Sequence, residues 1–191
     1  HPITKNYRQV DVFGGFTAAA GHSFYTARSY PKEYWNRIAF IAEPTGHLLH
    51  RAIMESYGSG FIEKDGWNLL ASSDEWTAPI QGTVGPDGNV WIIDWYNFIV
   101  QHNPTPKGFK NGKGNAHINP LRDKTHGRIY RLIYLNNQEA QVILEPKDPF
   151  SLLNGLKNSN LFWRLHAQRL IIENRYYTLI EDLLQLITTS V

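Results

Sequence analysis

The sequence predicts a mainly β chain with an α-helical C-terminal segment, and three observations carry that prediction. Gly85-Pro86-Asp87-Gly88-Asn89 puts turn residues directly before the unbroken β-branched and aromatic run Val90-Trp91-Ile92-Ile93, which ends at Asp94-Trp95. After a polar gap, His126-Gly127-Arg128-Ile129-Tyr130-Arg131-Leu132 alternates polar and apolar residues, the period of a strand covered on one face. Beyond Pro146 the apolar spacing changes to that of helices. The first two patterns read as one blade of a β-propeller, and the third as a separate helical element.

From Phe16 to Leu135, Gly, Pro, Asn and Asp punctuate short apolar runs, so two successive four-stranded sheet units are expected. In the first, Phe16–Tyr25 is the innermost strand, its small residues Ala18, Ala19, Ala20 and Gly21 suiting a crowded axis. Ile38–Ala42, Leu48–Ile53, and Phe61 with Trp67–Ala71 follow as second, third and fourth strands. In the second unit Ile80–Val84 is innermost, Val90–Asp94 second and Arg128–Tyr134 third. The spacing of the two inner strands exceeds the roughly 40–50 residues of a typical blade, so inserted loops are implied. The longest, Asn97–Lys124, is rich in Asn, Gly, Pro and Lys and has no apolar period, so it reads either as a functional loop or as a surface loop held by turns. Ser151–Leu156, Leu161–Ile172 and Tyr177–Ile187 are read as helices, started by Asp148-Pro149 and broken at Asn158-Ser159-Asn160 and Asn174-Arg175. They suit either the start of an α-solenoid or a helical cap on the β part. The expected division is therefore a partial propeller of about two blades over 1–146 and a helical segment over 147–191.

Composition narrows function. With 19 basic and 17 acidic residues scattered along 191, the chain has no electrostatic footprint for nucleic acid. No run approaches the roughly 18 apolar residues of a spanning helix. The absence of cysteine removes disulfides, thiolate catalysis, zinc–thiolate sites and covalent haem attachment. His1-Pro2-Ile3-Thr4-Lys5 resembles neither a leader nor a natural start, so the chain reads as an excerpt. Six Trp and ten Tyr, clustered with Asn, Asp, Gly and His, suit stacking on sugars as well as packing between sheets.

In a propeller, the loops from outermost to next innermost strand and from second to third strand share one face. That brings together Gln9–Gly15, Glu43–Gly46, Ser72–Pro79 and Trp95–Thr125, with Asp11, Glu43, Asp74, Trp76, Asp94, Trp95, Tyr96, His102, His117 and Arg122 among their polar and aromatic residues. Ligand-binding candidates are Glu43, Asp74, Trp76, Asp94, Trp95, Tyr96 and Arg122. Asp74 and Asp94 are also the metal candidates, because a hard cation such as calcium takes carboxylate oxygens. Asp94 equally suits capping the next turn through its backbone amides. Asp74 with Trp76 suits gripping a sugar, or Trp76 wedges two blades apart. His47 and His50 point to opposite faces of a strand and do not pair around a metal.

The runs Tyr30-Pro31-Lys32-Glu33-Tyr34-Trp35-Asn36-Arg37, Glu43-Pro44-Thr45-Gly46-His47-Leu48-Leu49-His50-Arg51, Leu70-Ala71-Ser72-Ser73-Asp74-Glu75-Trp76, the Gly85–Gly88 turn and His126–Arg131 together resemble a bacterial membrane-bound dehydrogenase family, over roughly Arg8 to Tyr134. The propeller of that family is similar to glucose/sorbosone dehydrogenases. Trp163-Arg164 and Ala167-Gln168-Arg169-Leu170 are similar to the HEAT-like repeats that follow it. The resemblance implies a periplasmic or secreted protein of which this chain holds the last blades and the first repeats. It also implies pyrroloquinoline quinone and calcium in the full-length protein, with any haem in a domain outside this chain. No catalytic residue is matched. Two functions compete: a fragment of a sugar or polyol dehydrogenase, inactive alone because about two blades cannot close a ring, and a non-catalytic module that binds glycan or a protein. Implied partners are a sugar or polyol, the missing blades and further helical repeats, and the cut sheet edges imply a fragment that is incomplete, self-associating, or shielded by its own helices and tail.

Overall fold

The computed structural model describes residues 2–3, 16–98, 100, 123–136 and 142–189. A four-stranded sheet has the order β1 (Ala20–Phe24), β2 (Ile38–Glu43), β3 (Leu48–Tyr57), β4 (Gly60–Ala71), each strand antiparallel to the next. A three-stranded sheet follows in the order β5 (Pro79–Val84), β6 (Val90–Asp94), β7 (Arg128–Leu132). Three helices close the chain: α1 (Pro149–Gly155), α2 (Leu161–Glu173) and α3 (Ile180–Thr189). The seven strands placed from sequence form in the expected order within each sheet, and the second sheet has three strands among the described residues where four were expected.

The boundaries differ where a local interaction outcompetes the ladder. The first strand starts at Ala20 rather than Phe16, because the amides of Ala18 and Ala19 donate to the Glu43 carboxylate and Ala19 turns to φ +45°. The fourth strand is continuous through the Asp65-Gly66 break, since a bulge absorbs it: the partners of His50 and Ala52 are Asn68 and Asp65, with Trp67 at φ +64°. Only glycine fits at 66, where a Cβ would lie 2.7 Å from the Arg51 carbonyl oxygen. Past the end of β2, β3 and β4 continue as a two-stranded ribbon whose pairing ends at Tyr57 and Gly60.

Two chain regions form compact units: 1–25, 36–83 and 90–132 in one, and 26–35, 84–89 and 133–191 in the other. Within the first, Ile38, Phe40, Ala42, Leu48, Leu49 and Ile92 are buried, each large aliphatic or aromatic side chain stabilising by about 1.5–3 kcal/mol. The sheets meet along β1 and β5. A Cβ on Gly21 would lie 2.2 Å from the Ile80 carbonyl oxygen, and one on Gly82 would lie 2.8 Å from Leu49 Cδ2. Of the small residues read as suiting a crowded inner strand, Gly21 is required by this approach.

In the second unit, Asp148 caps α1 by accepting from the Phe150 amide, and Asn160 caps α2 by accepting from the Phe162 amide. Leu152, Ile171 and Leu179 form the helical core. Arg175 at φ +55° breaks the chain after α2, and Tyr177–Leu179 forms a 3-10 turn before α3. The turn before β6 joins this unit: Asn160 Nδ2 donates to the Gly85 carbonyl at 2.9 Å, and Trp163 Nε1 to the Pro86 carbonyl at 2.7 Å. Loop 26–35 joins it too, through Leu161 N–H to the Thr26 carbonyl at 2.9 Å.

Candidate functional site

The described parts of three of the four loops expected on one face are joined by hydrogen bonds. His47 Nδ1–H donates to the Thr77 carbonyl at 2.6 Å, and the Ser72 amide donates to the His47 carbonyl at 3.0 Å. These bonds join the β2–β3 turn to the β4–β5 loop. The Trp95 amide donates to the Ala78 carbonyl at 3.0 Å, and the Ala78 amide to Asp94 Oδ1 at 2.6 Å, which join that loop to the end of β6. Residues 9–15 lie outside the described residues, as do the candidate Arg122 and the loop residues Asp11, His102 and His117.

Two of the acidic candidates are struts, and they are the same strut built twice. Asp94, 1% exposed at the last position of β6, accepts from the amide of Ala78, which precedes β5, and from the amide two residues on, Tyr96, at 2.8 Å. Glu43, also 1% exposed at the last position of β2, accepts from the amides of Ala18 and Ala19, which precede β1, and from Thr45 two residues on. Thr17 Oγ1 and Tyr130 Oη add one hydroxyl donor each, at 2.6 Å to Glu43 and 2.8 Å to Asp94. Each carboxylate thus ties the entry of a sheet's first strand to the exit of its second. For Asp94 the turn-capping role is the one the geometry displays.

The exposed candidates gather beside Asp94. Asp74 Oδ1 accepts from the Trp76 amide at 3.0 Å, which fixes the loop, and the Trp76 ring stands 5.9 Å from Tyr96 and 5.8 Å from Phe98. Arg128, on the neighbouring strand β7, lays its guanidinium 3.4 Å over the Tyr96 ring. Its Nη1 is 3.5 Å from Asp74 Oδ2 and 3.3 Å from Tyr130 Oη. A relay therefore runs from Asp74 through Arg128 and Tyr130 to buried Asp94. Burial pushes the Tyr130 hydroxyl above its ordinary pKa, so it stays a donor to Asp94. Its bond to Arg128 raises that guanidinium's pKa further. Trp95 projects outward, anchored only through its backbone among these contacts.

The long insertion leaves and returns beside this cluster. Asn97 Nδ2 donates to the Asp123 carbonyl at 2.6 Å, pinning its two stems. The Asp123 carboxylate accepts from the Thr125 amide and hydroxyl and from His126 Nδ1. Those donors, the Thr125 amide foremost, hold it far below the usual carboxylate range.

The structure brings Asp74, Trp76, Asp94 and Tyr96 together with Trp95 beside them, and holds Glu43 in a strut of its own; sequence reasoning did not name Arg128 or Tyr130 as site residues and weighed His47 only as a metal ligand. Arg128 and Tyr130 alternate along β7, and pairing Asp94 with Arg128 in the antiparallel register would have brought both to the site. His47 carried no signal, since its φ of +57° and its bond to Thr77 arise only in the folded turn. Its Nε2 is buried without a hydrogen-bond partner among the described residues.

The chain is thus a mainly β protein of two sheets with appended helices, carrying an aromatic and charged cluster on the loops at one end of its strands. Residues 1–136 match the family described as a domain of unknown function (DUF7133), and the chain belongs to that family. No curated protein and no solved structure matches it significantly.

Proposed function

We propose that this chain recognises a sugar or polyol on the loop face around Trp76, as two blades of a β-propeller and the start of a HEAT-like solenoid within a longer periplasmic or secreted protein similar to glucose/sorbosone dehydrogenases. The observation that carries the reading is the half-buried Trp76 ring beside Tyr96 and Phe98, rimmed by half-buried Asp74 and exposed Arg128. An aromatic face stacks on the apolar C–H face of a sugar ring, while a carboxylate and a guanidinium take its hydroxyls. The propeller is supported by the repeated strut at Glu43 and Asp94 and by the close approach of β1 and β5. The dehydrogenase kinship is supported by the residue runs that resemble that family.

Calcium does not fit Glu43, Asp74 and Asp94. Calcium takes six to eight oxygens, whereas both oxygens of Asp94 and of Glu43 already accept hydrogen bonds, and a guanidinium and a phenol stand between Asp74 and Asp94. Calcium-dependent redox chemistry in the longer protein would therefore belong to other parts of it, and this chain's residues bind and orient. The test has two arms. Saturation-transfer NMR on the 191-residue chain should show sugar contacts that Trp76→Ala abolishes. The full-length protein with quinone, calcium and sugar should reduce an artificial electron acceptor, while the chain alone should not. Absence of any sugar contact to the chain refutes the recognition reading, and contact without turnover by the full-length protein leaves a glycan-binding module.

A further inference from the structure

Resting on that reading, we infer that Asp74 and Arg128 form a preset acceptor–donor pair that selects sugars with two free hydroxyls on adjacent ring carbons, with Trp76 as the stacking surface. Most surface ion pairs are worth little because two mobile side chains must be held together. Here both partners are held by something else. Asp74 Oδ1 is fixed by the Trp76 amide, which leaves Oδ2 facing Arg128. Arg128 lies flat on Tyr96 and contacts Tyr130 Oη.

Their mutual distance of 3.5 Å exceeds the roughly 2.7–2.9 Å of a full-strength charge-assisted hydrogen bond, and their side chains are 39% and 42% exposed. The pair is thus aligned without being closed. One oxygen acceptor and one N–H donor side by side match two neighbouring hydroxyls, one donating to Asp74 and the other accepting from Arg128. A single hydroxyl satisfies only one of them. A lone anionic group would take Arg128 but meet repulsion from Asp74. The same argument separates Arg128 from a lysine, whose ammonium has no planar fork to lie on Tyr96.

Saturation-transfer NMR and calorimetric titration of the 191-residue chain test this with a methyl pyranoside bearing a free vicinal diol, with the same glycoside methylated on one hydroxyl of that diol, and with a uronate. The diol sugar should bind about tenfold more tightly than its methylated form, the loss of one hydrogen bond to a charged group. Asp74→Asn and Arg128→Gln should each remove that discrimination while circular dichroism stays unchanged, and Arg128→Lys should not restore it. Equal binding of the diol and its methylated form, or tighter binding of the uronate, overturns this inference and leaves sugar recognition standing. Discrimination that survives in either variant overturns it as well. No binding of any of the three probes overturns both.

Discussion

Replacing Asp94 with alanine should destabilise the protein far more than any change to the exposed cluster. Its carboxylate is 1% exposed and accepts the Ala78 amide at 2.6 Å, the Tyr96 amide at 2.8 Å and the Tyr130 hydroxyl at 2.8 Å. The Ala78 residue is itself fully buried, so its amide would keep no partner, at about 1–3 kcal/mol. Tyr96 and Tyr130 are half-buried and can recover part of their loss from water, so together they add about 1–2 kcal/mol. The expected total is about 2–5 kcal/mol, or a fall of about 1–2.5 M in urea midpoint at a slope near 2 kcal/mol/M. Asp94→Asn keeps Oδ1 for both amides and disturbs only the Tyr130 bond, so about 1 kcal/mol is expected. Urea unfolding followed by tryptophan fluorescence checks both. An alanine variant within about 0.5 kcal/mol of the parent, or an asparagine variant as damaged as the alanine one, would refute the strut.

Two further outcomes test the fold around the site. Gly21 and Gly58 both sit in the left-handed region, at φ +56° and +58°, but only Gly21 faces a backbone oxygen, 2.2 Å from the would-be Cβ, while Gly58 has nothing within 4 Å. Gly58→Ala should cost about 1–2 kcal/mol, the left-handed penalty alone, and Gly21→Ala several times as much, read as melting temperatures; equal effects would refute the packing of β1 on β5. Asp123 has a folded-state pKa below its unfolded value, so its stabilisation is fully present above about pH 4 and is lost only as pH falls through the lower folded value. The Thr125 amide resonance should therefore hold its position below pH 4 and shift only in stronger acid, whereas a midpoint near 4 would show that the Thr125 bonds do not form.

The sheets were legible because strand signals are local. Turn pairs such as Asp87-Gly88 and β-branched runs such as Val90–Ile93 declare themselves within a few residues, as do the caps Asp148 and Asn160. Strand ends were less legible, since Ala18 and Ala19 leave the ladder for a carboxylate 25 and 24 residues away. The bulge at Gly66 and Trp67 was hidden for the same reason: a glycine inside a strand pattern reads as a break until its partner strand is known.

For the site, the order of strands in each sheet fixes the end at which their connections emerge, and the described parts of three of the expected loops meet there. The sequence by itself did not determine what the acidic residues do. Glu43, Asp74 and Asp94 are chemically alike along the chain, and the fold separates them by burial and by the donors it aims at each: backbone amides fill Glu43 and Asp94, while Asp74 keeps an oxygen at the surface beside Arg128. Which carboxylate holds the fold and which keeps an oxygen at the surface was decided only by tertiary structure, since a hydrogen bond between distant residues exists only after the chain has brought them together.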